Sequence, residues 1–95
     1  MITGAVTYVG VNGGELMVRV NIDQFLNEGE CTMTIYDGGG VVAYEARAEV
    51  VDSAATSSCA GFNVPVGGIE NGSYEVVIGV VSEGKKGEIR RTVEI

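Results

Sequence analysis

The two cysteines are the residues of this chain whose chemistry is most distinctive. Cys31 lies in the segment CTMTIYD and Cys59 in SSCAGFNVPV. The 95 residues include no His, so neither thiol has an imidazole to act as its base, and no C-x-x-C spacing provides a metal site. We therefore predict a disulfide between them, with two buried free thiols as the alternative. A disulfide indicates an oxidising compartment, and we expect an extracellular or cell-surface location.

The position of Cys59 raises a question of register. Closing a loop of about 29 residues is worth about 3–3.5 kcal/mol in the chain-entropy model. In an uninterrupted strand over 59–66, however, Phe62 and Val64 would share a face and Cys59 would point to the opposite one. A bulge near Gly61, or a position of Cys59 just before the strand, would reconcile the two.

Carboxylates are the other candidates for chemistry. The chain has 13 acidic and 6 basic residues and a net charge of −7, which disfavours binding to nucleic acid or to anionic membranes. No spacing matches an EF-hand loop, and the glycine-rich segments 12–14 and 37–40 have the character of hairpin turns. We expect a solvated sheet surface and predict no catalytic residue, no metal site and no cofactor, with a calcium site as the alternative. The acidic residues concerned are Glu28, Glu30, Asp37, Glu45, Glu49 and Asp52.

Composition indicates one small β-domain over residues 1–95. Valine dominates the apolar residues, leucine occurs only at Leu16 and Leu26, and 15 residues are Gly. No apolar run is long enough for a membrane-spanning helix, so we expect no direct membrane insertion. The first ten residues lack the pattern of a signal peptide, so an exported protein would need a leader that this sequence does not show.

Period-2 alternation predicts about seven strands with turns between them. Residues 15–22 alternate most clearly, with Leu16, Val18, Val20 and Ile22 on one face. Segment 41–51 also suits a helix, but its alternation favours a strand. Segments 23–30 and 52–58 are predicted connections, and 83–88 a charged turn. The predicted strands are 2–11, 15–22, 31–36, 41–51, 59–66, 74–82 and 88–95.

The segment IENGSYEVVI at 69–78 resembles the corner of immunoglobulin-like and fibronectin type III-like domains. The resemblance implies a seven-stranded antiparallel β-sandwich in which the Tyr74 hydroxyl bonds back to the turn, Ile69 is an apolar plug and Gly72 takes unusual backbone angles. Val76 stands where an antibody domain has its second Cys, and the chain has no Trp. The combination therefore resembles immunoglobulin-like modules of bacterial surface and secreted proteins more than an antibody domain.

These observations favour a function without catalysis. We expect a structural, adhesion or spacer module of an exported multidomain protein, with neighbouring domains of a longer chain or an unidentified surface among its partners. One alternative is a module that binds Ca²⁺ or carbohydrate with the end loops 23–30, 52–58 and 83–87. Another is a subunit of a filament or shell that pairs through edge strands.

Overall fold

The computed structural model describes residues 2–24, 26, 28–52, 57–59, 61–65, 67 and 69–95, and these form β-strands with no helix. Every pairing between the strands is antiparallel. The predicted strand at 41–51 is therefore confirmed over its helical alternative. The eight strands are β1 (Gly4–Asn12), β2 (Glu15–Ile22), β3 (Glu30–Tyr36), β4 (Val42–Asp52), β5 (Ser57–Cys59), β6 (Phe62–Pro65), β7 (Ser73–Ser82) and β8 (Lys85–Glu94).

The strands follow the order β1-β2-β5-β4-β3-β7-β8, and β6 also pairs with β2. The first and last strands of this order lie against each other. The Ile2 N–H donates to the Lys86 carbonyl at 3.1 Å, and Arg91 Nη1 donates to the Val6 carbonyl at 2.9 Å. The sheet therefore comes close to closing into a barrel. This confirms the all-β antiparallel class with one disulfide and leaves the immunoglobulin-like sandwich as an interpretation.

The predicted count of seven strands is wrong because segment 59–66 is not one strand. Ser57, Ser58 and Cys59 form β5, which pairs with β2 and β4, and a separate β6 begins at Phe62 and pairs with β2. Ser57 and Ser58 were predicted to lie in a connection; residues 53–56 of that connection lie outside the described part. The interruption lets Cys59, Phe62 and Val64 all point into the core, which answers the question of register.

The core is formed by the faces that the alternation predicts. In β2, β3 and β7 every second residue is buried, and Leu26 covers one end of the core. Val77 is an exception, because it points to the outer face and is nevertheless buried, between Thr34 of β3 and Arg90 of β8. The fully buried large side chains include Ile2, Leu16, Val18, Ile22, Met33, Ile35, Val64, Val76, Ile78 and Val80.

The contact between β1 and β8 depends on Gly87. A Cβ atom built on this residue would overlap the carbonyl group of Ile2, and backbone atoms cannot move aside as a flexible side chain does. Arg91 lies on the same face of β8 as Ile89 and Val93, is exposed at the edge of the sheet, and closes the same seam by its bond to Val6. Two backbone segments thus approach closely where the sheet has no regular ladder.

We predict that Gly87→Ala lowers the free energy of unfolding by about 1–3 kcal/mol, because the new methyl group pushes Ile2 away from β8. Gly79→Ala is the matched control, since a Cβ there would lie 4.0 Å from the nearest carbonyl oxygen, that of Thr32. The control should change stability by less than about 0.5 kcal/mol. Urea unfolding of both variants checks this, and equal losses would contradict a tight seam.

Candidate functional site

The disulfide joins β3 to β5 in the interior of the protein. Cys31 and Cys59 are bonded with an S–S distance of 2.03 Å and a Cα–Cα distance of 6.0 Å. Both residues are buried, so reductants in solvent have little access to the sulfurs. The bond is a structural link, and its buried position offers no surface for a ligand.

Two buried serines, which the sequence analysis did not identify, hold the connection between β2 and β3. The Ser57 hydroxyl accepts from the Leu26 N–H at 2.7 Å and also lies 3.4 Å from the Leu26 carbonyl oxygen, to which it donates. The Ser82 hydroxyl donates to the Glu28 carbonyl. Buried hydroxyls require such partners, and here they satisfy backbone groups of an irregular segment. The one sequence signal for this role is that Ser57 lies two residues before Cys59, so that the two side chains share a face if the segment is a strand.

These serines bring the predicted end loops together. Leu26 and Glu28 belong to segment 23–30, Ser57 to segment 52–58, and Ser82 directly precedes the turn at Glu83 and Gly84. The predicted turn at 83–88 is shorter than expected, because β8 begins at Lys85. Segments that are far apart in sequence therefore meet at one end of the molecule, where their backbone is tied to the core.

The predicted corner residues lie at the other end. Tyr74 is buried, and its hydroxyl donates to the Glu70 carbonyl at 2.6 Å, which is the hydrogen bond that the corner interpretation requires. Ile69 is half-buried and packs against the core. Gly72 has a φ of 158°, a positive value that residues with a side chain rarely adopt, and exchanges two backbone hydrogen bonds of 2.9 Å with Ile95. Gly72 thus fastens the last residue of the chain beside the corner.

A cavity of about 290 Å³ lies next to this corner and is lined by Asp37, Ala43, Ile69, Glu70 and Tyr74. Two of its polar groups are engaged in local hydrogen bonds. Asp37 Oδ1 accepts from the N–H groups of Gly39 at 2.9 Å and of Val41 at 3.0 Å. The Glu70 carbonyl is taken by Tyr74. Ligand pockets generally begin at about 300 Å³, so this cavity is small for an organic ligand.

The other charged groups are spread over the sheet surface. Glu30 and Glu49 face each other across β3 and β4, and Arg47 Nη1 lies 3.8 Å from Glu30 Oε1. Arg90 donates to Glu88 and Glu75, and the Glu88 carboxylate is the main cause of a raised pKa of Arg90. Among the residues that the structure describes, no group of three His, Cys, Asp or Glu residues is placed to hold a metal ion.

No helix in the described part of the chain is long and apolar enough to cross a membrane. No protein-family model and no curated protein matches the sequence. Among solved structures, the chain is similar to OgpA from Akkermansia muciniphila, with a TM-score of 0.67 and 11% identity. The match covers 99% of this chain and 27% of that chain. At this identity the likeness concerns the fold alone, and it relates this chain to a part of a longer protein.

We predict that Tyr74→Phe lowers the free energy of unfolding by about 1–2 kcal/mol, because it leaves the Glu70 carbonyl without its donor at the edge of the core. Tyr8→Phe removes a hydroxyl from a residue that is 50% exposed and should cost less than about 0.5 kcal/mol. Chemical denaturation of the two variants measures both values. A Tyr74→Phe variant as stable as Tyr8→Phe would show that the corner bond contributes nothing.

Proposed function

We propose that this chain is a structural module of an exported multidomain protein, acting as a spacer or an adhesion domain without catalysis. We further propose that residues 1–95 form one domain of the immunoglobulin-like or fibronectin type III-like class. The strand pairing, the placement of the chain ends and the disulfide support this proposal.

The pairing supports a sandwich interpretation of the nearly closed sheet. Strands β1, β2 and β6 form one group, and β8, β7, β3 and β4 form the other. The inward side chains of both groups pack into a single core. Three strands opposed to four, with a corner tyrosine at the start of β7, is the arrangement of the immunoglobulin-like class. In this interpretation β5 joins the two groups along one side, and the contact of β1 with β8 joins them along the other.

The placement of the chain ends carries the proposal. Ile2 is hydrogen-bonded to Lys86, beside the turn between β7 and β8, whereas Ile95 is bonded to Gly72, just before β7 begins. The length of β7, Ser73–Ser82, separates these two positions, which is about 30 Å at about 3.3 Å per residue step. The chain therefore enters at one end of the 37 Å long axis and leaves at the other. Modules of this geometry extend a polypeptide in line.

The disulfide supports export, because buried disulfides of this kind persist in oxidising compartments. The absence of His from the sequence supports a function without acid–base catalysis. The negative charge keeps such a module soluble and discourages contact with anionic surfaces.

A second candidate is a binding module that uses the end loops. The observation in its favour is that Ser57 and Ser82 hold segments from three parts of the chain together at one end. Immunoglobulin-like domains bind ligands with loops clustered in this way. Ca²⁺ and carbohydrate are the ligand classes that this alternative includes.

An exchange of the module within its parent protein distinguishes the two candidates. For the spacer role we predict that replacing residues 1–95 by an unrelated β-sandwich of equal length preserves the activity of the parent, whereas a short Gly/Ser linker impairs it, because only spacing and rigidity matter. A loss of function with both replacements would contradict the spacer role and favour recognition by this module itself, through adhesion or through the end loops. Full function with the short linker would contradict both candidates.

A further inference from the structure

Strand β4 has an open edge along residues 43–49. On one side β4 pairs with β3 from Val42 to Glu49. On the other side β5 pairs with β4 only at Val50, Val51 and Asp52. No described strand is hydrogen-bonded to that side of the remaining residues, although β6, which pairs with β2, comes near β4. Open strand edges are sites at which another chain can add a strand, and proteins commonly protect them with charges or irregularities.

The backbone groups on this edge can be assigned from the hydrogen bonds of Val50. Its N–H donates at 3.0 Å to the carbonyl of Gly29, the residue directly before β3. Successive residues of a strand direct their N–H and C=O groups to alternate edges. Ala46 and Ala48 therefore face β3, while Glu45, Arg47 and Glu49 direct their backbone groups to the open edge.

The segment 41–51, VVAYEARAEVV, reads nearly the same in polarity from either end, with Ala46 at its centre. Two antiparallel copies paired about Ala46 would place Glu45 opposite Arg47 of the second copy, and Arg47 opposite Glu45. Ala46 would meet Ala46, and Tyr44 would lie opposite Ala48. The side chains of Glu45 and Arg47 are exposed on the outer face, the Arg47 side chain at 72%. Oppositely charged pairs across antiparallel strands are stabilising, and like charges are destabilising.

Other registers are disfavoured by the same residues. A register centred on Glu45 would place the Glu45 carboxylates of the two copies opposite each other. A register centred on Arg47 would place the two Arg47 guanidinium groups opposite each other, and both like-charged pairs are destabilising. Registers offset by a single residue would pair inward with outward side chains. The open stretch 43–49 is itself centred on Ala46, because β5 ends it on one side and the turn at 37–41 ends it on the other.

We propose that the open edge of β4 is a two-fold interface for a second copy of this chain, in the register centred on Ala46. The pair would join two groups of four strands into one continuous sheet, with backbone hydrogen bonds at Glu45 and Arg47 of both copies. A pair of edges this short buries less area than a stable dimer requires, so the association is weak and depends on concentration. Such contacts become effective when many copies are displayed together. This goes beyond the proposed spacer role and does not depend on it.

Sedimentation of the 95-residue chain from about 1 µM to about 1 mM tests the interface. We expect a monomer–dimer equilibrium in the wild-type protein. Glu45→Arg and Arg47→Glu should each weaken it about 10-fold, because either change puts two like-charged pairs in the interface. The double variant with both changes should restore the wild-type affinity, since the opposite charges face each other again.

Lys86→Glu is the matched control, because it changes the net charge as Arg47→Glu does but lies on β8, and it should leave the equilibrium unchanged. Thermal melts establish that each variant is folded. A wild-type protein that stays monomeric throughout would overturn the proposal. So would a dimer that Arg47→Glu leaves intact, or one that the double variant fails to restore.

Discussion

Strand β5 is only three residues long, yet it pairs with β2 on one edge and with β4 on the other. It is the point on this side of the molecule where the two groups of strands are hydrogen-bonded to each other. Three residues form too few ladder bonds to hold a strand in place. Cys59 at its end is therefore bonded covalently to Cys31 of β3, and Ser57 at its start holds both backbone groups of Leu26. The rest of the structure depends on this junction.

The two proposals follow from where the junction lies. The junction stabilises the end of the molecule at which the end loops and Ile2 lie. Ile95 lies at the other end, where Gly72 binds it beside the corner. The interior is filled by side chains, and the cavity of about 290 Å³ beside the corner is small, so both proposals use the ends and the strand edges. Because β5 pairs with β4 only from Val50 to Asp52, it also determines the length of the open edge to which a second copy can bind.

The sequence predicts those parts of the fold that depend on residues close together in the chain. The alternation over 15–22 defines β2 to the residue, and the glycine turns mark the hairpins that join β1 to β2 and β7 to β8. It did not predict that β5 and β6 are separate strands, because the end of β5 at Cys59 and the start of β6 at Phe62 depend on pairing with residues distant in sequence. The buried hydroxyls of Ser57 and Ser82 were missed for the same reason. Their partners are backbone groups of an irregular segment, which no local pattern reveals. Of the candidate site, the cysteine pair could be predicted, but its position at the junction could not.

Hydrogen exchange of individual amides tests the importance of the junction most directly. The comparison is between the oxidised protein and the double variant Cys31→Ala, Cys59→Ala. In the oxidised protein we expect the amides of Leu26, of β5 and of Val51, which faces β5, to exchange as slowly as those of Val76 and Ile78 in β7. In the double variant the junction amides should exchange at least about 10-fold faster than those of β7, because β5 opens while the remaining strands stay paired. Equal acceleration at the junction and in β7 would contradict this account, because the disulfide would then stabilise the whole fold without holding β5 in particular.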